Sequence, residues 1–198
     1  MPERPTFYYD LGSPYAYLAA ERVNALFAEA IGQAPEWQPV LLGGLFKRFD
    51  RDSWANTPAR DAGVAECERR ASAHALPPIR WPRPYPGDTL FAMRVATFAK
   101  EVGRTVSFSL AAFRQAFVAG RDLSERDNVL LAAAAAELHP RAVLAAAERE
   151  AIKARLREAT ERAGDLGVRG VPSLVVGGEV FWGDDRIADA AEAARRVS

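Results

Sequence analysis

The sequence predicts an α/β protein in which a long helical stretch interrupts a smaller unit of strands and helices. Three observations predict this class. The first 42 residues have the pattern strand–helix–strand, the segment from Ser173 onward has the pattern strand–strand–helix, and the periodicity between them is mostly helical. A chain of 198 residues is a suitable length for one domain with a large insertion.

The N-terminal part begins with a short aromatic run, residues 5–9, which predicts a buried strand ending in the turn at 10–12. Ser13 and Pro14 then predict the start of a helix. A serine oxygen can accept a free backbone N–H there, and proline is tolerated at the first helical position. Apolar residues recur at helical spacing behind them, and Gly32 predicts the end of the helix.

Residues 36–42 form a second apolar run and predict a second strand. Pro39 inside it indicates a sheet edge or a bulge, because proline has no N–H to donate to a neighbouring strand. Two strands joined through a helix imply a parallel pair with a crossover connection.

The C-terminal part has two apolar runs, 173–176 and 179–182, which are separated by Gly177 and Gly178. Two glycines between two such runs predict a tight β-hairpin. Residues 183–185 then open an alanine-rich terminal helix at 186–196, and acidic residues in its first turn suit the helix dipole.

The middle of the chain predicts several helices around one proline-rich loop at 76–87. Ser124 and Asp127 form a capping pattern at the start of one helix, and the periodicity of 141–163 predicts one amphipathic helical stretch. The predicted helices cover residues 57–74, 88–103, 107–119, 124–138 and 141–163.

Together these elements match the thioredoxin fold with an all-helical insertion between an N-terminal βαβ half and a C-terminal ββα half. A plain three-layer α/β fold fits the periodicity nearly as well. On the first interpretation, residues 1–56 and 168–198 form the thioredoxin-like domain and residues 57–167 form the helical insertion domain.

Composition excludes several classes of function. Lys and Arg total 26, as do Asp and Glu, so a strongly basic nucleic-acid binder is excluded. Two histidines and one cysteine are too few for a His/Cys zinc cluster, and a single cysteine excludes an intrachain disulfide and a Cys-x-x-Cys centre. A polar N-terminus and the lack of a long apolar run lead us to expect a cytoplasmic protein without membrane contact.

Four stretches carry a family resemblance that spans Phe7 to Arg186. They are FYYDLGSPY at 7–15, LLGGLFK at 41–47 with NTP at 56–58, YPGDTL at 85–90 with Arg94, and GVPS at 170–173 with FWGDDR at 181–186. In these the chain resembles the kappa-class glutathione transferases and the 2-hydroxychromene-2-carboxylate isomerases, which are relatives of the DsbA disulfide oxidoreductases. The segment between Lys47 and Asn56 looks longer than in many of them.

The resemblance implies glutathione as cofactor and assigns Ser13 a catalytic role. Relatives that exchange disulfides carry Cys-Pro-x-Cys where this chain has Ser13-Pro14-Tyr15-Ala16, so dithiol chemistry is excluded here. The positive end of a helix favours an anion, and a serine hydroxyl that donates to a bound thiolate would lower the pKa of the thiol. The alternative is that Ser13 only caps the helix.

The resemblance also assigns the other glutathione-binding residues. Val171, before a proline in a predicted cis bond, would pair with the cysteinyl main chain as an added strand. Asp184 and Asp185 would bind the γ-glutamyl end, with Asp185 favoured, although both could simply cap a helix. The amide of Asn56 could bind a peptide carboxylate or the substrate.

Loop aromatics are candidates for a pocket that takes a planar substrate, although packing remains the alternative for each of them. They are Phe46, Phe49, Trp54, Trp81 and Tyr85. Cys67 lies within a helical pattern, which indicates a buried small apolar residue rather than a nucleophile.

Three functions remain open. In an isomerase of aromatic catabolism, the glutathione thiolate would add to a conjugated carbon, and ring opening, bond rotation and elimination would follow. In a kappa-type transferase, the conjugate of glutathione and an electrophile would simply leave. A non-catalytic thioredoxin-like protein would only hold thiol peptides. The resemblance further implies a homodimer and a small aromatic or electrophilic substrate.

Overall fold

The strands form one mixed sheet in the computed structural model, which describes residues 4–197. Within these residues the sheet has four strands in the order β2–β1–β3–β4. Strand β1 runs parallel to β2 and antiparallel to β3, and β3 and β4 form the predicted hairpin. The strands are β1 (Thr6–Tyr9), β2 (Glu36–Pro39), β3 (Ser173–Val176) and β4 (Glu179–Trp182). The α/β class is confirmed, and β2 lies at a sheet edge as Pro39 predicted.

Helices from the C-terminal end of the chain and from its middle contact the sheet. Helices α1 and α9 pack together, α9 also contacts β3, and α4 and α8 contact β2. The division of the chain at 56/57 and 167/168 stays a prediction. The helices are α1 (Pro14–Ile31), α2 (Leu42–Arg48), α3 (Arg60–Ala73), α4 (Leu90–Glu101), α5 (Thr105–Phe117), α6 (Arg126–Ala135), α7 (Pro140–Glu148), α8 (Glu150–Asp165) and α9 (Ile187–Val197), with short 3-10 helices at Trp54–Asn56 and Asp184–Arg186.

The second strand ends three residues earlier than the apolar run predicted. It stops at Pro39, and α2 begins at Leu42. The backbone N–H of Leu41 donates to the hydroxyl of Thr160 (2.9 Å), and that of Leu42 donates to the carboxylate of Asp10 (2.8 Å). Side chains distant in sequence therefore take the N–H groups that a longer strand would have used, and the chain leaves the sheet.

Two predictions for the middle of the chain were wrong in detail. The capping pattern of Ser124 does not form, because both its amide and its hydroxyl donate to Asp122, and α6 starts at Arg126. The stretch 141–163 is two helices rather than one. Arg149 is extended (φ −65°, ψ 131°) and separates α7 from α8.

An aromatic cluster joins β1 to β2 and to α5. The rings of Phe7 and Tyr9 lie 5.0 and 5.4 Å from that of Trp37, and Tyr9 also contacts Phe113 of α5 at 6.0 Å. The buried hydroxyl of Tyr9 is hydrogen-bonded to that of Ser109 at 2.6 Å, which satisfies both polar groups inside the core. The first strand is thereby fixed to α5 by both packing and a hydrogen bond.

A buried carboxylate connects the end of β1 with the starts of three helices. Asp10 is 5% exposed, and its Oδ1 accepts from the N–H of Gly12 (2.9 Å) and the hydroxyl of Thr89 (3.1 Å). Its Oδ2 accepts from the N–H of Leu42, and its backbone carbonyl accepts from the N–H of Ser13 at 3.1 Å. The turn before α1, the start of α2 and the start of α4 are therefore fixed relative to one another.

We expect Asp10→Asn to lower the free energy of unfolding by about 1–3 kcal/mol, because the amide puts an NH₂ group against a backbone or hydroxyl donor. Urea unfolding measures this loss. The control is Asp88→Asn, an exposed residue whose side chain caps the N–H of Leu90 at 2.8 Å and whose amide can do the same. Equal stability of the two variants would contradict the role given to Asp10.

Two glycines within helices differ in the space that is available for a Cβ atom. A Cβ on Gly63 of α3 would lie 2.3 Å from the indole of Trp54, whereas one on Gly43 of α2 would meet nothing within 4 Å. We expect Gly43→Ala to stabilise the protein by roughly 0.5–1 kcal/mol and Gly63→Ala to destabilise it by about 1–3 kcal/mol. Urea unfolding compares them, and native tryptophan fluorescence should change only for Gly63→Ala. Similar stabilisation by both would show that Trp54 does not pack as described.

Candidate active site

One cleft of about 550 Å³ lies where the end of β1, the start of α1 and the loop before β3 meet. The segment that follows α2 and the loop that precedes α4 form its other walls. All the site residues predicted from the sequence line this cleft. They are Ser13, Asn56, Val171, Asp184 and Asp185. Their individual roles stay predictions.

Ser13 lies immediately before α1 and is 4% exposed. Its Oγ accepts a hydrogen bond from the N–H of Ala16 at 3.2 Å, so Ser13 caps the helix. The same hydroxyl donates to the carbonyl of Val171 at 3.4 Å, well beyond the usual length of about 2.8 Å. The hydrogen bond that the hydroxyl donates is therefore weak. Because capping uses only the oxygen, the proton is available to another acceptor.

The start of α1 is electrostatically suited to an anion. Its first turn contains no acidic residue, so no carboxylate on the helix neutralises the positive end of the dipole. Pro14 has no N–H, and the N–H of Tyr15 has no acceptor within residues 4–197. An anion bound beside Ser13 would thus meet a hydroxyl, a free amide and a favourable dipole.

The loop before β3 faces Ser13. The Val171–Pro172 peptide bond is cis, as predicted. The N–H of Val171 has no acceptor in the part of the chain that the structure describes, and its carbonyl receives only the long bond from Ser13. Both backbone groups of Val171 can therefore pair with an extended peptide.

The two aspartates of the 3-10 helix before α9 lie in different environments. Asp184 is 2% exposed, and its carboxylate lies 2.6 Å from Arg70 and 3.5 Å from Arg22. Burial raises the pKa of Asp184, and the two guanidinium groups oppose that rise. The side chain of Asp185 is 60% exposed and lies 3.8 Å from Arg70. Asp185 is therefore the carboxylate available to a ligand.

Aromatic rings form one wall of the cleft. The ring of Trp54 lies 6.1 Å from that of Tyr15 and 6.2 Å from that of Tyr85, and all three line the cleft together with Phe46. The other two aromatic candidates have packing contacts. Trp81 lies 4.7 Å from Tyr85 and 6.2 Å from Phe117, and Phe49 lies beneath the guanidinium groups of Arg48 and Arg169.

Cys67 is fully buried, as predicted. Burial is the main cause that raises the pKa of its thiol to about 12, and a hydrogen bond with Tyr15 acts in the opposite direction. A thiol of this kind is un-ionised at neutral pH and inaccessible, so it does not supply a nucleophile to the cleft.

The sequence did not single out four charged residues that line the cleft, namely Asp10, Arg51, Asp52 and Arg70. Asp10 had a usable signal, since an acidic residue directly after an apolar strand needs hydrogen-bond partners when it is buried. Arg51 and Arg70 had no such signal, because nothing in the sequence distinguishes them among its 26 basic residues. The partner of Arg70, Asp184, is 114 positions away.

Neither a metal site nor a membrane span is found in the part of the chain that the structure describes. No group of His, Cys, Asp and Glu within residues 4–197 is placed to hold a metal ion. Over the same residues, none of the helices combines the length and apolar character needed to cross a membrane.

Comparison with known proteins places this geometry among thioredoxin-like folds. A 2-hydroxychromene-2-carboxylate isomerase from Sphingobium xenophagum is 25% identical over 187 residues, which cover 91% of this chain and 92% of that protein. A solved structure of 2-hydroxychromene-2-carboxylate isomerase superposes with a TM-score of 0.86 at 20% identity, over 97% of this chain and 94% of the other.

A second group of similar structures consists of thiol–disulfide proteins. The cytosolic disulfide reductase DsbM from Pseudomonas aeruginosa, solved with GSH, has a TM-score of 0.63 at 17% identity, over 96% of this chain and 95% of the other. The family model for the DSBA-like thioredoxin domain matches residues 6–195. The predicted thioredoxin-like fold and the family resemblance are confirmed, and the chain belongs to the family of DSBA-like thioredoxin domains.

Proposed function

We propose that the protein is a glutathione-dependent isomerase of the 2-hydroxychromene-2-carboxylate type that acts on an intermediate of aromatic catabolism. The observation that carries the proposal is the hydroxyl of Ser13, whose proton makes only a long hydrogen bond, beside a helix whose first turn holds no acidic residue and facing the free backbone groups of Val171. The similarity to an isomerase of that name, over nearly the whole of both chains, supports the reaction type. The GSH-bound disulfide reductase of similar fold supports the cofactor.

The residues of the cleft fit the parts of glutathione. The N–H and C=O of Val171 can pair with the cysteinyl main chain, as in the addition of a β-strand. The exposed carboxylate of Asp185 suits the cationic amino group of the γ-glutamyl end, because the carboxylate of Asp184 is already paired with Arg70. Asn56, exposed at the end of its 3-10 helix, has an amide that can bind a carboxylate.

Bound glutathione would supply a thiolate that adds reversibly to a conjugated carbon of the substrate, so that a double bond becomes single and can rotate. Ser13 would donate its hydroxyl proton to the sulfur as a hydrogen bond, which favours the charged form and lowers the pKa of the thiol. The start of α1 acts in the same direction. The rings of Tyr15, Trp54 and Tyr85 would hold a planar substrate beside it.

Two alternatives use the same cleft. A kappa-type glutathione transferase needs the same thiolate activation and differs only in releasing the conjugate. A non-catalytic binding protein for thiol peptides needs the contacts of Val171 and Asp185 without the chemistry. Thiol–disulfide exchange at this site is not an alternative, because Ser13 and Ala16 replace the cysteines and Cys67 is buried with a raised pKa.

The family resemblance also leads us to propose a homodimer. Sedimentation at micromolar concentration tests this directly, since a monomer of 21.6 kDa would contradict it.

The role of Ser13 is tested by the ultraviolet thiolate absorbance of bound glutathione against pH. We expect Ser13→Ala to raise the pKa of the bound thiol, and a rise of one in that pKa corresponds to about 1.4 kcal/mol. At pH values below both the pKa of the wild-type complex and that of the variant, turnover should then fall roughly tenfold for each such rise. Loss of the cap should separately lower stability by about 0.5–2 kcal/mol, which urea unfolding measures.

Two variants serve as controls for this titration. Ser13→Thr keeps a hydroxyl that can both accept and donate, so it should restore the titration curve. Ser107→Ala removes an exposed hydroxyl that donates to Arg104 and should change nothing. Superimposed curves and equal turnover for wild type and Ser13→Ala would leave Ser13 as a helix cap only.

The reaction itself is tested by turnover of 2-hydroxychromene-2-carboxylate, with and without glutathione. Isomerisation that requires catalytic amounts of glutathione supports the proposal. Stoichiometric consumption of glutathione by an electrophile would identify the transferase instead. Tight glutathione binding without turnover of any electrophile would identify the binding protein.

A further inference from the structure

The segment between α2 and the 3-10 helix Trp54–Asn56 gives Arg51 a fixed position at the cleft. The backbone N–H of Arg51 donates to the carbonyl of Phe46 at 3.0 Å, and the preceding residue, Asp50, turns the chain with a positive φ of 50°. Arg51 itself lines the same cleft as Ser13. Its placement therefore follows from the backbone turn and does not depend on a flexible side chain alone.

The guanidinium of Arg51 is held by two kinds of contact. It lies 4.5 Å from the ring centre of Trp182 and 5.8 Å from that of Phe46, which are cation–π distances. One of its terminal nitrogens donates to the backbone carbonyl of Arg169 at 3.1 Å. These contacts orient the planar guanidinium, which has five N–H donors. Only one of its nitrogens donates a hydrogen bond within residues 4–197.

No carboxylate lies within 4.0 Å of the Arg51 guanidinium among residues 4–197. The contrast is with Arg70, the other arginine that lines the cleft, which is within that distance of Glu66, Asp184 and Asp185. A guanidinium with free donors on one edge matches the geometry of a carboxylate, which it can bind through two parallel hydrogen bonds. Arg51 therefore has the charge and the free donors that Arg70 lacks.

We propose that Arg51 binds a carboxylate of the molecule held in the cleft and so determines which molecules the cleft accepts. The inference rests on the proposed function, which offers two sources of this group: the glycine end of glutathione and the carboxylate of an aromatic acid substrate. In either case the ring of Trp182, which is 46% exposed, supports the guanidinium from one face.

The first arm of the test measures glutathione binding by calorimetry in wild type, Arg51→Met and Arg169→Met. Arg169→Met is the matched control, because it removes a neighbouring charge but keeps the backbone carbonyl that Arg51 uses. The comparison ligand is γ-glutamylcysteine, which lacks the glycine. If Arg51 binds the glycine carboxylate, Arg51→Met should weaken glutathione binding roughly 10–100-fold and leave γ-glutamylcysteine binding unchanged.

The second arm measures binding of chromone-2-carboxylate and of its neutral amide, chromone-2-carboxamide, by tryptophan fluorescence quenching. If Arg51 binds the substrate carboxylate, Arg51→Met should weaken binding of the acid roughly 10–100-fold and leave binding of the amide unchanged. Arg51→Lys keeps the charge but loses the planar donor edge, so it should recover only part of the affinity.

Unchanged binding of both carboxylate probes to Arg51→Met would overturn the inference. An equal loss for the probes with and without the carboxylate would also overturn it, because that result assigns Arg51 to packing on Trp182. If wild type binds no glutathione, the proposed function fails while the chromone arm still decides the role of Arg51. A wild type that binds neither carboxylate probe overturns both.

Discussion

The buried carboxylate of Asp10 is the constraint on which the cleft depends. A charge in this position would be costly without partners, and the three donors that satisfy it come from the turn before α1, the start of α2 and the start of α4. Each of these segments contributes a wall of the cleft. The hydrogen bonds that make the burial of Asp10 tolerable are therefore also the ones that bring the walls together around Ser13.

The oxygen and the proton of the Ser13 hydroxyl make hydrogen bonds of different quality. The oxygen of Ser13 completes α1, while its proton is held only by a long bond to Val171. The charged side chains show a similar division. Asp184 and Arg70 neutralise each other inside the protein, whereas Asp185 and Arg51 keep charge that a ligand can use. The neighbours Asp184 and Asp185 thus differ in the charge that they expose because their burial differs.

Local sequence signals predicted the strands, the hairpin and the start of α1, whereas the family resemblance pointed to the site residues Ser13, Asn56, Val171, Asp184 and Asp185. Ser13 with Pro14 and the pair Gly177–Gly178 each depend on the conformation of a few neighbouring residues, so their effect can be anticipated. The end of β2 could not be predicted from such signals. It depends on the hydroxyl of Thr160, which accepts a hydrogen bond from the N–H of Leu41, more than a hundred positions away. Arg51 and Arg70 were missed for the same reason, since their partners are brought near only by the tertiary fold.

The pairing of Arg70 with Asp184 has a consequence for how such proteins can diverge. Arg70 belongs to α3 and Asp184 to the 3-10 helix before the last helix, so the ion pair joins two parts of the chain that are distant in sequence. A chimera that takes α3 from a relative without an arginine at this position would leave the buried carboxylate with Arg22 as its remaining guanidinium partner, at a cost of about 1–3 kcal/mol. Exchange of α3 by recombination therefore carries a cost in stability unless the arginine at this position is kept.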